Sequence, residues 1–320
     1  MNEDARIYVA GHTGLVGAAL VRNLQAHGFR NLLVRSHREL DLTRQDAVEA
    51  FFARERPSHV ILAAAKVGGI LANNTYRADF IYQNLMMAAN VIQAAWKHEV
   101  ARLLFLGSSC IYPRDAAQPL TEDSLLTAPL EATNEPYAIA KIAGVKLVES
   151  YNRQYRTDYV SAMPTNLYGP HDNFDLNGSH VLPAMMRKFH EAKLAGDAPV
   201  TLWGSGSPRR EFLHVDDLAE GCLFVLREVH AGQVSNDLVN VGCGEDLTIK
   251  ELALLVQATV GHRGEIRWDA SKPDGTPRKL MDVARIKRLG WSPRIALVDG
   301  VASTYHWFLQ HGDAKGMASH

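Results

Sequence analysis

Cysteine is scarce in this chain, at three in 320 residues. So odd and sparse a set (Cys110, Cys222 and Cys243) cannot build the disulfide framework that holds small secreted domains together. Reduced thiols in a cytoplasmic setting are the expectation. No apolar run approaches the roughly 20 residues of a membrane span, and MNEDARIYVAGH leads straight into a first strand without the features of a signal sequence. An excess of charge is missing too: 34 Lys and Arg stand against 35 Asp and Glu, for a net charge of −1 and a pI near 6.9. That balance gives no electrostatic case for nucleic acid or an acidic membrane surface as a partner. Repeats, low-complexity tracts and long linkers are absent, and no metal site is expected. What remains is a chain long enough for one large two-lobed enzyme or two domains.

The stretch from Arg102 to Lys141 organises the rest. RLLFL has the continuous apolar character of a buried parallel strand and ends in Gly107-Ser108-Ser109-Cys110; a helix opens after Asn134 with Tyr137 and Lys141 spaced i, i+4. That spacing puts phenol and ammonium on one helix face. A free Tyr titrates too high to exchange protons readily at neutral pH, and a neighbouring Lys⁺ lowers it. A hydroxyl from Ser108 or Ser109 would hydrogen-bond the same substrate oxygen while hydride moves at the carbon. Tyr-x-x-x-Lys alone is also a common accident of amphipathic helices.

Near the start, Arg6–Ala10 reads as a buried strand, followed by Gly11-His12-Thr13-Gly14-Leu15-Val16-Gly17 and a helical run to His27. Glycines three apart between a strand and a helix permit a tight turn, close approach of a pyrophosphate to the backbone, and a helix N-terminus aimed at it. The spacing is G-x-x-G-x-x-G, not the G-x-G-x-x-G of the common dehydrogenases. A second strand, residues 31–34, ends in Arg35-Ser36-His37-Arg38. Where an NAD-selective sheet carries an acid for the ribose 2′-hydroxyl, this chain has cations suited to a 2′-phosphate, so NADPH is favoured; a solvated basic turn has the same composition. Asp41 precedes a helix expected to be capped by Thr43. Further strands are expected at 59–65, 102–106 and 159–163, with long helices near 76–98 and 136–155. The alternation argues for an α/β fold, a Rossmann-type doubly wound parallel sheet with ligands at the carboxyl ends of its strands. The dinucleotide-binding lobe is expected at 1–168 and 214–243, and a smaller α/β substrate lobe at 169–213 and 244–320. The last residues, GMASH, read as a tail outside the fold.

The glycine triplet and the Ser108, Tyr137, Lys141 set, in this order, resemble the extended short-chain dehydrogenase/reductase family. AAAKVGGILANN (63–74), FLGSSCIYP (105–113), EPYAIAKIAG (135–144), MPTNLYGPHDNF (163–174), REFLHVDD (210–217) and DASKPDGTPRK (269–279) resemble, within it, the GDP-L-fucose synthases. The likeness runs over roughly residues 5–310.

That resemblance implies 3,5-epimerisation of a GDP-4-keto-6-deoxy-D-mannose followed by NADPH-dependent reduction at C4. It implies Ser108, Tyr137 and Lys141 for the reduction, and Cys110 and His180 as the acid–base pair that inverts the carbons beside the ketone. By themselves Cys110 reads as an inert buried thiol and His180 as a loop residue. To the cofactor it assigns the loop 11–17, Arg35, Arg38, Asp41, Leu106, Gly107, Ser109, Lys141, Pro164, Thr165, Asn166, Leu167 and His180. To the GDP-sugar it assigns Lys188, Trp203, Arg210 and Asp274. It also implies a homodimer in which the two long helices and their copies form a four-helix bundle. Rival readings are a sugar-nucleotide 4-epimerase or 4,6-dehydratase with tightly held dinucleotide, and a non-catalytic dinucleotide sensor.

Overall fold

The structure is a computed structural model that describes residues 1–176, 178–272 and 274–311, the side chains of residues 70 and 71 apart; the tail from 312 onward lies outside the described residues. The chain runs β1 (Ile7–Ala10), α1 (Leu15–Ala26), β2 (Leu32–Leu33), α2 (Gln45–Glu55), β3 (His59–Leu62), α3 (Ile70–Thr75), α4 (Arg77–Lys97), β4 (Arg102–Leu106), α5 (Glu135–Tyr155) and β5 (Tyr159–Pro164). There follow β6 (Asn166–Tyr168), α6 (Val181–Leu194), β7 (Val200–Trp203), β8 (Arg209–Arg210), β9 (Phe212–His214), α7 (Val215–Glu228) and β10 (Leu238–Val241). The remainder is β11 (Leu247–Thr248), α8 (Ile249–Val260), β12 (Ile266–Asp269), β13 (Arg278–Lys279), α9 (Ala284–Leu289) and α10 (Leu297–His311).

The strands with continuous apolar runs form one parallel sheet in the order β10-β5-β4-β3-β1-β2. Ile7, Val9, Val60, Ile61, Leu104, Tyr159 and Val239 are buried in it, as strands covered on both faces must be. The chain leaves β1 for β2 on one side and returns for β3 on the other, so a crevice opens at the carboxyl ends of β1 and β3.

Three local expectations change. The second strand shrinks to Leu32–Leu33, and the third stops at Leu62, where the alanine run leaves the sheet. Thr43 does not cap α2: the helix starts at Gln45 with Arg44 at its N-cap and no side-chain cap bond. Thr43 instead donates from its N–H and hydroxyl to Asp41 Oδ1, at 2.9 and 2.8 Å, a local Asx turn competing with the cap.

Small sheets build the second lobe, β11-β8-β13 and β12-β7, and the pair β6-β9 lies where the chain passes between the lobes. Its core gathers Phe174, Met186, Phe189, Leu202, Leu252, Val256 and Phe308, apart from the core under the large sheet. Met281, Val283, Ile286 and Trp291 pack with the large-sheet core, so the segment after β13 crosses back.

Candidate active site and its relatives

The glycine loop after β1 is shaped by its neighbours. Gly11 has a φ of +87°, a left-handed value that suits glycine, and a Cβ there would press on the Ala64 backbone at 2.8 Å. A Cβ on Gly17 would collide with the Gly11 carbonyl, whereas one on Gly14 would meet only that carbonyl, at an ordinary 3.7 Å. So Gly11 and Gly17 are needed by the chain itself, and Gly14 leaves open space before α1. That helix starts without a side-chain cap bond, and the buried His12 Nδ1 has no hydrogen-bond partner. Free helix N–H groups facing a cleared cradle fit a dinucleotide pyrophosphate.

At the end of β2 the two arginines differ. Arg35 donates to Glu55 at 2.9 Å and to the Val34 carbonyl at 2.7 Å, its guanidinium 5.5 Å from the centre of the Phe51 ring. Arg38 is exposed and makes no hydrogen bond or ion pair among the described residues. Asp41 is occupied by Thr43.

The β4 end and α5 bring the reduction residues together. Ser108 caps a short 3₁₀ turn, Ser109–Ile111, and its Oγ accepts weakly from the Cys110 N–H at 3.4 Å. Lys141 is buried and donates from Nζ to the Leu106 carbonyl at 2.8 Å. Its ammonium stands 5.0 Å from the centre of the Phe105 ring and 5.7 Å from that of Tyr137. Burial brings Lys141 down to about 8, with Cys110 opposing. The expectation for Tyr137 is overturned: burial pushes the phenol far up, the nearby Cys110 adds to the rise, and Ser108 pulls back less. Desolvation of the phenolate is the largest cause, so Tyr137 holds its proton at neutral pH.

Cys110 is buried, and burial pushes its thiol up, while Lys279 and Lys141 pull it back. His180 stands at the N-cap of α6, open to water on one side yet surrounded by enough protein that desolvation, together with the Lys279 ammonium, holds its imidazolium below the usual range. Lys279 thus acts on both members of the pair. Nothing in the sequence singles out Lys279; its place beside Cys110 depends on the register of β13.

Arg210 and Lys279 are register partners on β8 and β13, as are Arg209 and Arg278. Strand alternation puts each pair on one face. Arg209 and Arg278 both bind Asp246, at 2.8 and 2.5 Å, leaving Arg210 and Lys279 on the other face. Asp274 accepts from the Ser205 N–H at 2.9 Å and hydroxyl at 2.7 Å, pinning the turn after β7. That turn presents Trp203, 63% exposed, with Lys188 and Lys272 nitrogens 5.9 and 5.6 Å from its ring centre. Thr165 and Asn166 hold the β5 end to Glu211 through its main-chain carbonyl, at 3.4 and 2.8 Å.

Residues 7–242 match the model of the NAD dependent epimerase/dehydratase family. The chain is 58% identical to GDP-L-fucose synthase 1 of Arabidopsis thaliana over 310 residues, covering 97% of this chain and 95% of the relative. It is 56% identical to GDP-L-fucose synthase of Escherichia coli (strain K12) over 313 residues, covering 96% and 98%. Among solved structures, a GDP-mannoheptose C4 reductase from Campylobacter jejuni with NADP bound superposes with a TM-score of 0.89 at 41% identity, covering 97% of this chain and 99% of that one. With its parallel sheet, glycine cradle and Ser108, Tyr137 and Lys141 at the β4 end, the chain belongs to the NAD dependent epimerase/dehydratase family.

Proposed function

We propose that this chain converts GDP-4-keto-6-deoxy-D-mannose to GDP-L-fucose, first inverting C3 and C5 and then reducing C4. Identity of 56–58% over nearly the whole chain to curated GDP-L-fucose synthases supports the activity. The observation that carries the residue assignment is the electrostatic coupling of two acid–base sets: Cys110 acts on both Tyr137 and Lys141, and Lys279 acts on both Cys110 and His180.

A 4-keto group acidifies the hydrogens on both neighbouring carbons. Cys110 and His180 remove a proton from one face and return one to the other, through an enolate of the 4-ketone at each centre. Lys279 and Lys141 favour the thiolate that burial opposes. For the second step a bound NADPH would supply hydride to C4. Tyr137, held protonated, gives its proton to the C4 oxygen, Ser108 polarises that oxygen, and Lys141 steadies the charge left on the phenol. The loop 11–17 would hold the pyrophosphate, Arg38 the 2′-phosphate, and the β4 and β5 ends the nicotinamide side. Arg210 and Lys279 would take the sugar-nucleotide diphosphate bidentately and as a point charge, and Trp203 the base.

The test is NADPH oxidation with GDP-4-keto-6-deoxymannose and identification of the sugar by NMR. Stoichiometric oxidation with GDP-L-fucose supports the reading; oxidation giving the unepimerised 6-deoxy sugar makes the chain a plain C4 reductase.

The lobes are proposed as 1–168 with 214–243 and 169–213 with 244–320, of which 312–320 lie outside the described residues, the stretch 281–291 packing across. A homodimer through α4 and α5 is supported by Tyr82, Leu85, Ile139 and Tyr155, which those helices leave exposed, and sedimentation equilibrium tests it. Placement in the cytoplasm rests on three free thiols, Cys110, Cys222 and Cys243.

A further inference from the structure

Glu211, in the run REFLHVDD, takes no part in the chemistry above. It is wholly buried, and no cation pairs with it among the described residues. Its Oε1 accepts from the N–H groups of Cys243 and Gly244 at 2.6 and 2.8 Å, and its Oε2 from the Met281 N–H at 2.9 Å. Gly242 makes room for it, since a Cβ there would collide with Oε1. The main-chain carbonyl of the same residue accepts from Asn166 and Thr165. Three separate segments therefore converge on one side chain and its backbone: the β5 end, the loop after β10, and the strand exit of β13.

Its neighbours in the chain make that convergence functional. Arg210 is the preceding residue, and Lys279 lies two residues before Met281. The two cations are thus fixed from both sides by one carboxylate, on a framework that also carries Thr165 and Asn166.

We propose that Glu211 is a positioning residue for GDP-sugar binding: it sets Arg210 and Lys279 at one spacing from each other and from the β5 end, so that the diphosphate is gripped with the sugar in register with Tyr137. This rests on the GDP-sugar reading. Glu211→Gln isolates the effect. The amide oxygen still accepts from Cys243 and Gly244, but its NH₂ faces the Met281 N–H donor to donor, releasing β13 alone.

Calorimetric titration of GDP and of NADPH decides it. Wild type binding GDP checks the underlying reading; failure there sinks both, the substrate reading first. Given that binding, Glu211→Gln is expected to weaken GDP about 10-fold or more, the order that misplaced binding groups cost, with NADPH affinity changed less than about 2-fold. Unchanged GDP affinity, or equal loss of both ligands, overturns the proposal, the second because Glu211 would then hold the fold at large. If Glu211→Gln does not fold, Glu211→Asp, too short to reach both segments, is read the same way. In the wild type, GDP should also slow amide exchange at 242–246 and 280–283 together; no change there counts against it.

Discussion

Lys141 lies one helical turn beyond Tyr137 on α5 with its ammonium 5.7 Å from the centre of the phenol ring, yet its hydrogen bond goes to the Leu106 carbonyl. The charge is aimed at the phenol while the proton is tied elsewhere. Burial brings Lys141 from 10.5 to about 8, so above that pH the cation beside Tyr137 is lost. Reduction at C4 is expected to show a limb falling above about pH 8 in kcat, and Lys141→Arg, which stays charged, to move that limb upward. The sign for stability is opposite. Between about 8 and 10.5 the unfolded chain binds more protons at this site than the folded one, so its destabilising contribution, full below 8, fades as pH rises.

Tyr137→Phe removes the proton donor but leaves the ring against Phe80. Hydride transfer should fall by about 10²–10⁴-fold. Solvent exchange of the hydrogens at C3 and C5, followed by NMR in deuterium oxide, should persist.

Cys110→Ser is expected to do the reverse, cutting epimerisation by about 10²–10⁴-fold while direct reduction of the unepimerised ketone continues. Full yield of the fucose epimer from this variant would remove Cys110 from the mechanism.

Arg38, past the end of β2, makes no hydrogen bond or ion pair among the described residues, whereas Arg35 is held by Glu55. Arg38→Ala should weaken NADPH by about 10-fold or more, as loss of a charged hydrogen bond does, with NADH little altered. Arg35→Ala should instead show mainly as lost stability, read in a thermal melt.

The glycine loop separates fold from ligand. Gly17→Ala, driven into the Gly11 carbonyl, is expected to destabilise by about 1–3 kcal/mol. Gly14→Ala has room for its methyl and should melt near wild type while losing NADPH affinity, as calorimetry and titration would show together.

The large sheet and the Tyr137 helix are legible in the sequence because continuous apolar runs and an i, i+4 pair are strong local signals. Strand ends are less so: Val60–Ala65 is apolar throughout, but the strand register ends at Leu62. Thr43 is a good cap by type, and Asp41, two residues earlier, captures it instead. β8 and β13 carry two residues each, too few for a period, so the alternation that puts Arg210 and Lys279 on one face is visible only once the strands are paired. The lowering of Tyr137 expected from Lys141 fails for a similar reason, since spacing reports the neighbouring charge but not the water excluded around both.

Trp203 stands out from the chain on the turn that Asp274 pins, between two lysines. It is the one tryptophan among the described residues that is mostly open to solvent. Its emission would therefore be the reddest of the five indoles in the sequence. A purine stacked on it would quench that red component selectively, giving the protein an intrinsic optical gauge of nucleotide occupancy without any label.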